Sequence, residues 1–322
     1  MKRVFSTIAA ISLNIAGDIT PKRRIARHEL QTGLRQCGYH GAMLHQSDNI
    51  PNDGLRIVLA STGASGESYR IYWQDGALML SGASDQAVLY AVFELLERQG
   101  VYFGLDGAIY PPEPATALNL PDAGETWDAS PIFKTRGLQP WPDFLNCITV
   151  FNDADMRAYL EAMLRMRFNM LGIHVYGQSD KWVEPFLSFE YGGVGHTAFA
   201  DTTATDRWGY LPQRTSRYGI SAAQYFDAEV FGADATRFAR DQWEAAERSQ
   251  AMWAQAFSYA DTLGIRTGIG FEIHQLPEEI VRACPPEVRT RFNFGDVQPD
   301  GSYLISFDRI DPNSRAAQYI LE

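Results

Sequence analysis

The chain is poor in the features that announce the commoner chemistries. It has three cysteines, Cys37, Cys147 and Cys284, far apart and in no CxxC or Cys/His spacing. That argues for free thiols and against a disulfide framework or a zinc site. HExxH and HxxxH patterns are missing, so no metal is expected. No GxGxxG or GxxxxGK[ST] loop is present. The one glycine cluster, GASGES from Gly63 to Ser68, lacks a lysine and reads as a turn between strands, so no nucleotide cofactor is expected. GxSxG is absent as well. No apolar run approaches the roughly 20 residues of a membrane span. Positive charge is also short: 28 Lys and Arg against 39 Asp and Glu give a formal charge of −11. Nucleic acid is therefore not the expected partner, because a polyanion needs a basic face.

What remains is a packed globular chain, 322 residues long and 45% hydrophobic, which suits a small-molecule substrate. The N-terminal MKRVFSTIAAISLNI has the charge-then-apolar order of a signal peptide. The same run serves as a first strand leading into a helix, and this is the preferred reading. A cytoplasmic setting is favoured accordingly.

Local signals then give a first domain over residues 1–120. Pro21 opens a helix that Gly38 stops, with Ile25, His28 or Glu29, Leu30 and Leu34 at helical spacing and the arginines as a solvated face. GLRIVLAS is a buried strand. ESYRIYWQ and ALMLSGAS form a hairpin through Asp75-Gly76. Ser84 and Asp85 cap a helix whose stripe is Val88, Val92 or Leu89, Leu95 and Leu96, closed by Gly100. Strand, helix, strand, hairpin and helix make an open sheet with helices on one face. Pro111 to Ser130 reads as an irregular proline-rich connector.

From residue 131 the pattern changes to strand, loop, helix, strand, the unit of a parallel α/β barrel. FKTRGLQ is the first strand. Asn152 or Asp153 caps a helix with Met156, Leu160, Met163 and Leu164 inward, the methionines being core. FNMLGIHVY is the second strand. Residues 177–234 form a long aromatic-rich insertion, read as a wall of a cleft. A helix ending at Gly264 follows, with Trp253, Ala256, Phe257 and Ala260 on one face, and then IRTGIGFEI as the third strand. Pro277 starts a short helical turn. The region to Asp308 reads as a loop with a hairpin turn at Asp300-Gly301, and a last helix begins at Asp311-Pro312. The fold class is α/β: an N-terminal α+β sandwich-like domain followed, over 131–322, by the first part of a (β/α)8 TIM barrel. Eight units take about 250 residues, so the expectation is a truncated barrel in the N-terminal part of a longer enzyme.

Barrel sites lie at the carboxyl ends of strands. That rule selects Arg136, Trp141 and Asp143 after the first strand, His174 and Tyr176 after the second, and Glu272 and His274 after the third. Aromatic faces and hydrogen-bonding charged groups are what a carbohydrate needs. For Arg136 there is a second reading, a buried arginine paired with a carboxylate at the base of the barrel.

GASDQAVLYAVFELLERQGVYF resembles the closing hairpin-and-helix of the small domain that precedes the catalytic barrel in α-glucuronidases and β-N-acetylhexosaminidases. PIFKTRG follows at the distance those families show. The resemblance implies a glycoside hydrolase that works through an oxocarbenium-like transition state with two carboxylates, and it implies no cofactor. It makes Arg136 a ligand for substrate hydroxyls or a carboxylate, with His174, Tyr176, Trp141 and His274 lining the sugar site. Glu272 and, after it, Asp143 are the candidate catalytic carboxylates, although the families' acid usually lies on a later strand, past Glu322. The loop LQPWPDFLN departs from the hexosaminidase pattern of an Asp and an Arg. The rivals are a non-catalytic carbohydrate-binding protein, and a barrel-type polysaccharide lyase with a Tyr, His or Lys base.

Overall fold

The computed structural model describes residues 5–6, 9–46, 54–140, 151–175, 187–190, 193–196, 242–271, 278–311 and 313–315. They form two compact units. The first comprises Met1–Gly137, Ala158–Met170 and Ala260–Arg266; the second comprises Leu138–Arg157, Leu171–Tyr259 and Thr267–Glu322.

The first unit is built on a six-stranded sheet. Its elements in order are β1 (Ile11–Ile15), α1 (Pro21–Gln36), β2 (Met43–His45), β3 (Leu55–Ser61), β4 (Tyr69–Gln74), β5 (Ala77–Gly82), α2 (Asp85–Arg98), β6 (Tyr102–Gly104), β7 (Gly107–Ile109) and β8 (Thr126–Ala129). The sheet order is β2-β1-β3-β5-β4-β8, with β6 and β7 as a separate hairpin. β2, β1, β3 and β5 run parallel, and β4 runs antiparallel to both its neighbours, β5 and β8. The apolar run near the N-terminus thus yields β1, a central strand whose Ile11 and Leu13 are fully buried.

Local chemistry sets the boundaries. Asp75 and Gly76 have φ of 49° and 77°, the pair of positive values that a two-residue hairpin turn demands. Thr20 accepts from the Arg23 N–H at the start of α1, and Ser84 from the Ala87 N–H at the start of α2. Gly38 and Gly100, at φ 87° and 94°, end them.

Packing differs from the sequence expectation in four places. α1 buries Ala26, Leu30, Gly33 and Leu34, with Ile25 only half-buried, because Gly33 lets Leu96 of α2 come close. Arg23 is not on a solvated face: it is 8% exposed, and its guanidinium donates to Asp85, Ser61 and the carbonyls of Ala16 and Asp18. α2 is buried from Gln86 to Phe93 without a break, since β3, β4 and β5 of the sheet pack on it and α1 packs beside it. A helix apolar all round is a buried helix. The proline-rich connector contributes β8, which pairs Trp127 with Ile71 at the sheet edge.

The later part of the chain contains β9 (Gly137–Leu138), α3 (Asp153–Arg165), β10 (Met170–Val175), β11 (Leu187–Glu190), β12 (Gly193–His196), α4 (Gln242–Leu263), β13 (Arg266–Phe271), α5 (Glu278–Ala283), β14 (Arg289–Val297) and β15 (Tyr303–Ile310). At the start of α3 the Asn152 N–H donates to the Asp155 carboxylate at 2.9 Å, and the Met156 N–H donates to the Asn152 carbonyl as the first helical bond. Met156, Leu160 and Met163 are fully buried, as core methionines should be. Trp253, Ala256 and Ala260 form the buried face of α4. The expected loop before Asp308 is instead a long antiparallel hairpin, β14 and β15, turning at 298–302 around the expected Asp300-Gly301. A second hairpin, β11 and β12, falls inside the expected insertion. The final helix from Asp311 lies almost entirely outside the described residues.

Two glycines test the first unit. A Cβ on Gly82 would sit 2.5 Å from the Val88 nitrogen and 2.7 Å from the Ala87 carbonyl carbon, in the backbone of α2. One on Gly76 would meet open space but carry φ 77°. Gly82→Ala is expected to lose about 1–3 kcal/mol by overpacking and Gly76→Ala about 1 kcal/mol by backbone strain, read from urea unfolding midpoints. Equal losses would show that α2 does not press on β5.

Candidate functional site

The sheet of the later part has the order β13-β10-β9. Its strands start level. The Arg136 carbonyl accepts from the Asn169 and Met170 N–H groups at 2.8 and 3.2 Å, and the Arg266 N–H donates to the Asn169 carbonyl at 2.9 Å. Further along, a Cβ on Gly137 would lie 3.2 Å from Cβ of Met170, and one on Gly172 would lie 3.4 Å from Cβ of Gln139. Positions 137 and 139 therefore advance with 170 and 172, which makes β9 and β10 parallel. A helix joins each strand to the next, α3 between β9 and β10 and α4 between β10 and β13. The carboxyl ends of the strands leave from one edge.

That edge is where the sequence rule looked for a site. His174 is the next-to-last residue of β10. Tyr176 and Glu272 directly follow β10 and β13, and Trp141, Asp143 and His274 come within a few residues of a strand end; all five lie outside the described residues. The topology thus sends the chain segments that carry them out from neighbouring strands.

Arg136 is placed differently. It precedes β9, so it stands at the amino end of the strand, not the carboxyl end. The reason is that the extended segment FKTRGLQ enters the ladder only at Gly137. The Arg136 guanidinium is already engaged. It pairs with Glu67 at 3.0 Å and donates to the Arg167 carbonyl (2.7 Å), the Phe133 carbonyl (2.7 Å) and the Tyr90 hydroxyl (3.2 Å). Its ring-facing contact is with Tyr90, 5.7 Å from the centroid. This is the paired arrangement that the sequence offered as the second reading of Arg136.

Around it lies a closed polar cluster. Glu67 accepts from the Tyr90 hydroxyl at 3.0 Å and from the Asn169 amide at 3.4 Å. Asn169, 8% exposed, uses its side chain like a strand neighbour: its oxygen accepts from the Arg136 N–H at 2.9 Å and its nitrogen donates to the Lys134 carbonyl at 2.8 Å. Burial pushes the Glu67 carboxyl up, but the hydrogen bonds from Arg136 and Tyr90 outweigh it and hold it below the usual carboxylate range. Burial, with the Glu67 charge beside it, pushes the Tyr90 hydroxyl up to about 12.

Two more arginines are held in the same unit. Arg165 forms a two-pronged pair with Glu29 at 2.9 and 2.8 Å. Arg167 does so with Glu97 at 3.0 and 2.6 Å. Arg167 also carries φ 64°, a left-handed conformation at the end of α3 where glycine is the usual occupant. The backbone there closes as a helix terminator, with Phe168 N–H donating to the Met163 carbonyl at 2.9 Å. Glu67, Tyr90, Arg167 and Asn169 escaped the sequence reading. The signal available was Asn169, a polar residue opening an otherwise apolar strand.

Among the described residues, no group of three or more His, Cys, Asp or Glu is placed to hold a metal ion. No helix among them is long and apolar enough to cross a membrane.

No family model and no curated protein matches the sequence. Solved structures do. An N-acetyl-β-hexosaminidase of Streptomyces plicatus, solved with Thio-NAglucal, is 15% identical with a TM-score of 0.47, over 99% of this chain and 52% of that one. A GH20 exo-β-N-acetylglucosaminidase of Vibrio harveyi, solved with N-acetylglucosamine, is 11% identical with a TM-score of 0.48, over 100% of this chain and 41% of that one. A GH138 enzyme targeting pectin rhamnogalacturonan II is 14% identical with a TM-score of 0.45, over 81% of this chain and 31% of that one. The chain spans about a third to a half of their lengths.

The cluster yields two expectations. Arg167→Ala removes the Glu97 pair and keeps the backbone strain, whereas Arg167→Gly removes both, so the glycine variant should be the more stable by about 1 kcal/mol in chemical unfolding. The reverse order would mean that position 167 is unstrained in solution. Second, Glu67 and Asp85 have folded pKa values below their ordinary 4.5 and 3.8, Asp85 because hydrogen bonds from Thr20, Arg23 and Ser61 overcome its burial. Their stabilisation is complete above those ordinary values and is lost as pH falls through and below them. Glu67→Gln and Asp85→Asn should each flatten the acid side of a melting-temperature profile relative to the parent.

Proposed function

We propose that the chain belongs to a glycoside hydrolase and carries the opening βα units of its catalytic barrel. The observation that supports this most is the level, parallel start of β9 and β10, with β13 beside them. In the chain, His174 stands near the end of β10, Tyr176 and Glu272 directly follow β10 and β13, and Asp143 and His274 come a few residues after a strand end, all after a first sheet with two helices. The α-glucuronidase and hexosaminidase resemblance of the sequence supports the same reading. The hexosaminidase, the acetylglucosaminidase and the pectin-directed enzyme among the similar structures are carbohydrate-active enzymes.

In this proposal Glu272 is a catalytic carboxylate, with Asp143 the second candidate among these residues. One carboxyl group protonates the leaving glycosidic oxygen as the C–O bond breaks; the other acts as a base toward water or as the nucleophile. His174, Tyr176, Trp141 and His274 bind hydroxyls and sugar faces. Arg136 is assigned to the scaffold instead, because its donors are committed to Glu67, Tyr90 and two carbonyls. The α-glucuronidase side of the resemblance stands on the sequence pattern.

The test is the longest natural protein containing this chain, assayed against a panel of aryl glycosides. Hydrolysis of at least one is expected, with Glu272→Gln lowering kcat by about 10²–10⁴-fold, the usual share of a general acid or base. Full activity in that variant would remove Glu272 from the catalytic pair. A protein that binds sugars in calorimetry and cleaves none would be the non-catalytic rival.

A further inference from the structure

We propose that Glu67 is a positioning residue: through Arg136 and Asn169 it fixes the register of β9 against β10. β9 is only two residues long. So short a strand has too few ladder bonds to specify its own pairing, and a slip of one residue would turn every following side chain to the other face of the sheet. What holds it is side-chain chemistry just before the strand. Asn169 takes the N–H of Arg136 and gives to the carbonyl of Lys134, completing on the amino side a ladder that the backbone begins at Arg136 and Asn169.

Neither residue would hold that pose alone. The Arg136 side chain is folded back onto the carbonyls of Phe133 and Arg167. A guanidinium so placed, with a side chain 16% exposed, needs a counter-charge. Glu67 supplies it at 3.0 Å with one carboxylate oxygen, and with the other accepts from Tyr90 and Asn169. One carboxylate therefore touches both partners of the register. The backbone strain at Arg167 belongs to the same device, because the left-handed turn there presents the carbonyl that Arg136 grips.

The consequence for function rests on the hydrolase reading, because the chain leaving β9 is the one that goes on to Trp141 and Asp143. The structural half can be tested without any substrate. Hydrogen exchange, read on peptides covering 131–138 and 166–172, is expected to speed up by about tenfold in Glu67→Ala, the loss of one charge-assisted hydrogen bond, while peptides of β1 and β3 stay at the parental rate. If Glu67→Ala unfolds throughout, Glu67→Gln, which keeps hydrogen-bonding capacity and loses the charge, should show the same selectivity at smaller size. Unchanged exchange at 131–138 in a folded variant would overturn the proposal, as would a uniform rise across all segments in both variants. With a cleaved glycoside in hand, a register shift changes kcat and KM together in the folded protein, whereas a loss of folded fraction scales kcat alone. Should the parent cleave and bind no sugar, the hydrolase reading fails while the exchange result still decides the role of Glu67.

Discussion

A sheet whose strands all begin at one level presents a row of backbone donors and acceptors at its amino edge, and those groups must be satisfied. Here the first three strand starts, at Arg136, Asn169 and Arg266, satisfy one another in sequence. Further backbone groups are met by side chains: Asn169 accepts from the Arg136 N–H and donates to the Lys134 carbonyl, and Arg136 donates to the Arg167 carbonyl while Glu67 pairs its guanidinium. An unpaired group at such an edge costs about 1–3 kcal/mol. The cluster is therefore better understood as completing the sheet than as adding attraction to it.

Apolar burial and polar pairing divide the work in the first unit. Fully buried Leu30, Leu55, Ile57, Leu59, Ile71, Leu78, Leu80 and the continuous stretch Ala87–Phe93 supply the driving force. Hydrophobic contact is tolerant of small sliding, and it would not choose one seating of α1 and α2 over a close alternative. The arginine pairs are less tolerant. Arg165 and Arg167 each meet a carboxylate with two parallel bonds, a geometry that fails on a small displacement. Such pairs, partly buried, contribute modest net energy after desolvation, and their main effect is to specify where the helices rest.

How much of this was legible follows from range. Caps, hairpin turns and stripes depend on neighbours within a few residues, and Pro21, Ser84, Asp75-Gly76 and the α3 methionines behave as their local sequence implies. The stripe of α2 was drawn too narrow, because nothing within the helix says that a second layer covers it. Arg23 and Arg136 were misjudged for a related reason. An arginine in a sequence has no visible partner, and Tyr90 lies 46 residues from Arg136, with Asp85 62 residues from Arg23. Glu67 was hidden inside a glycine-rich turn, where a carboxylate looks like solvent-facing punctuation. The strand-end rule presumes that the strand boundary is known. Placing the start of β9 a few residues early moved Arg136 from one end of the sheet to the other.

The same pairing changes what the acidic composition can mean. Glu29, Glu67, Glu97 and Asp85 are each matched by an arginine within 3.0 Å, so these four of the 39 carboxylates are neutralised locally. Conversely, the arginines that might have suggested an anionic substrate are spent on the same contacts. Net charge still disfavours a polyanion at long range, since the excess of carboxylates over the chain is real. At the range of a binding site, screening and local pairing decide the field, and the sum over the sequence does not report it.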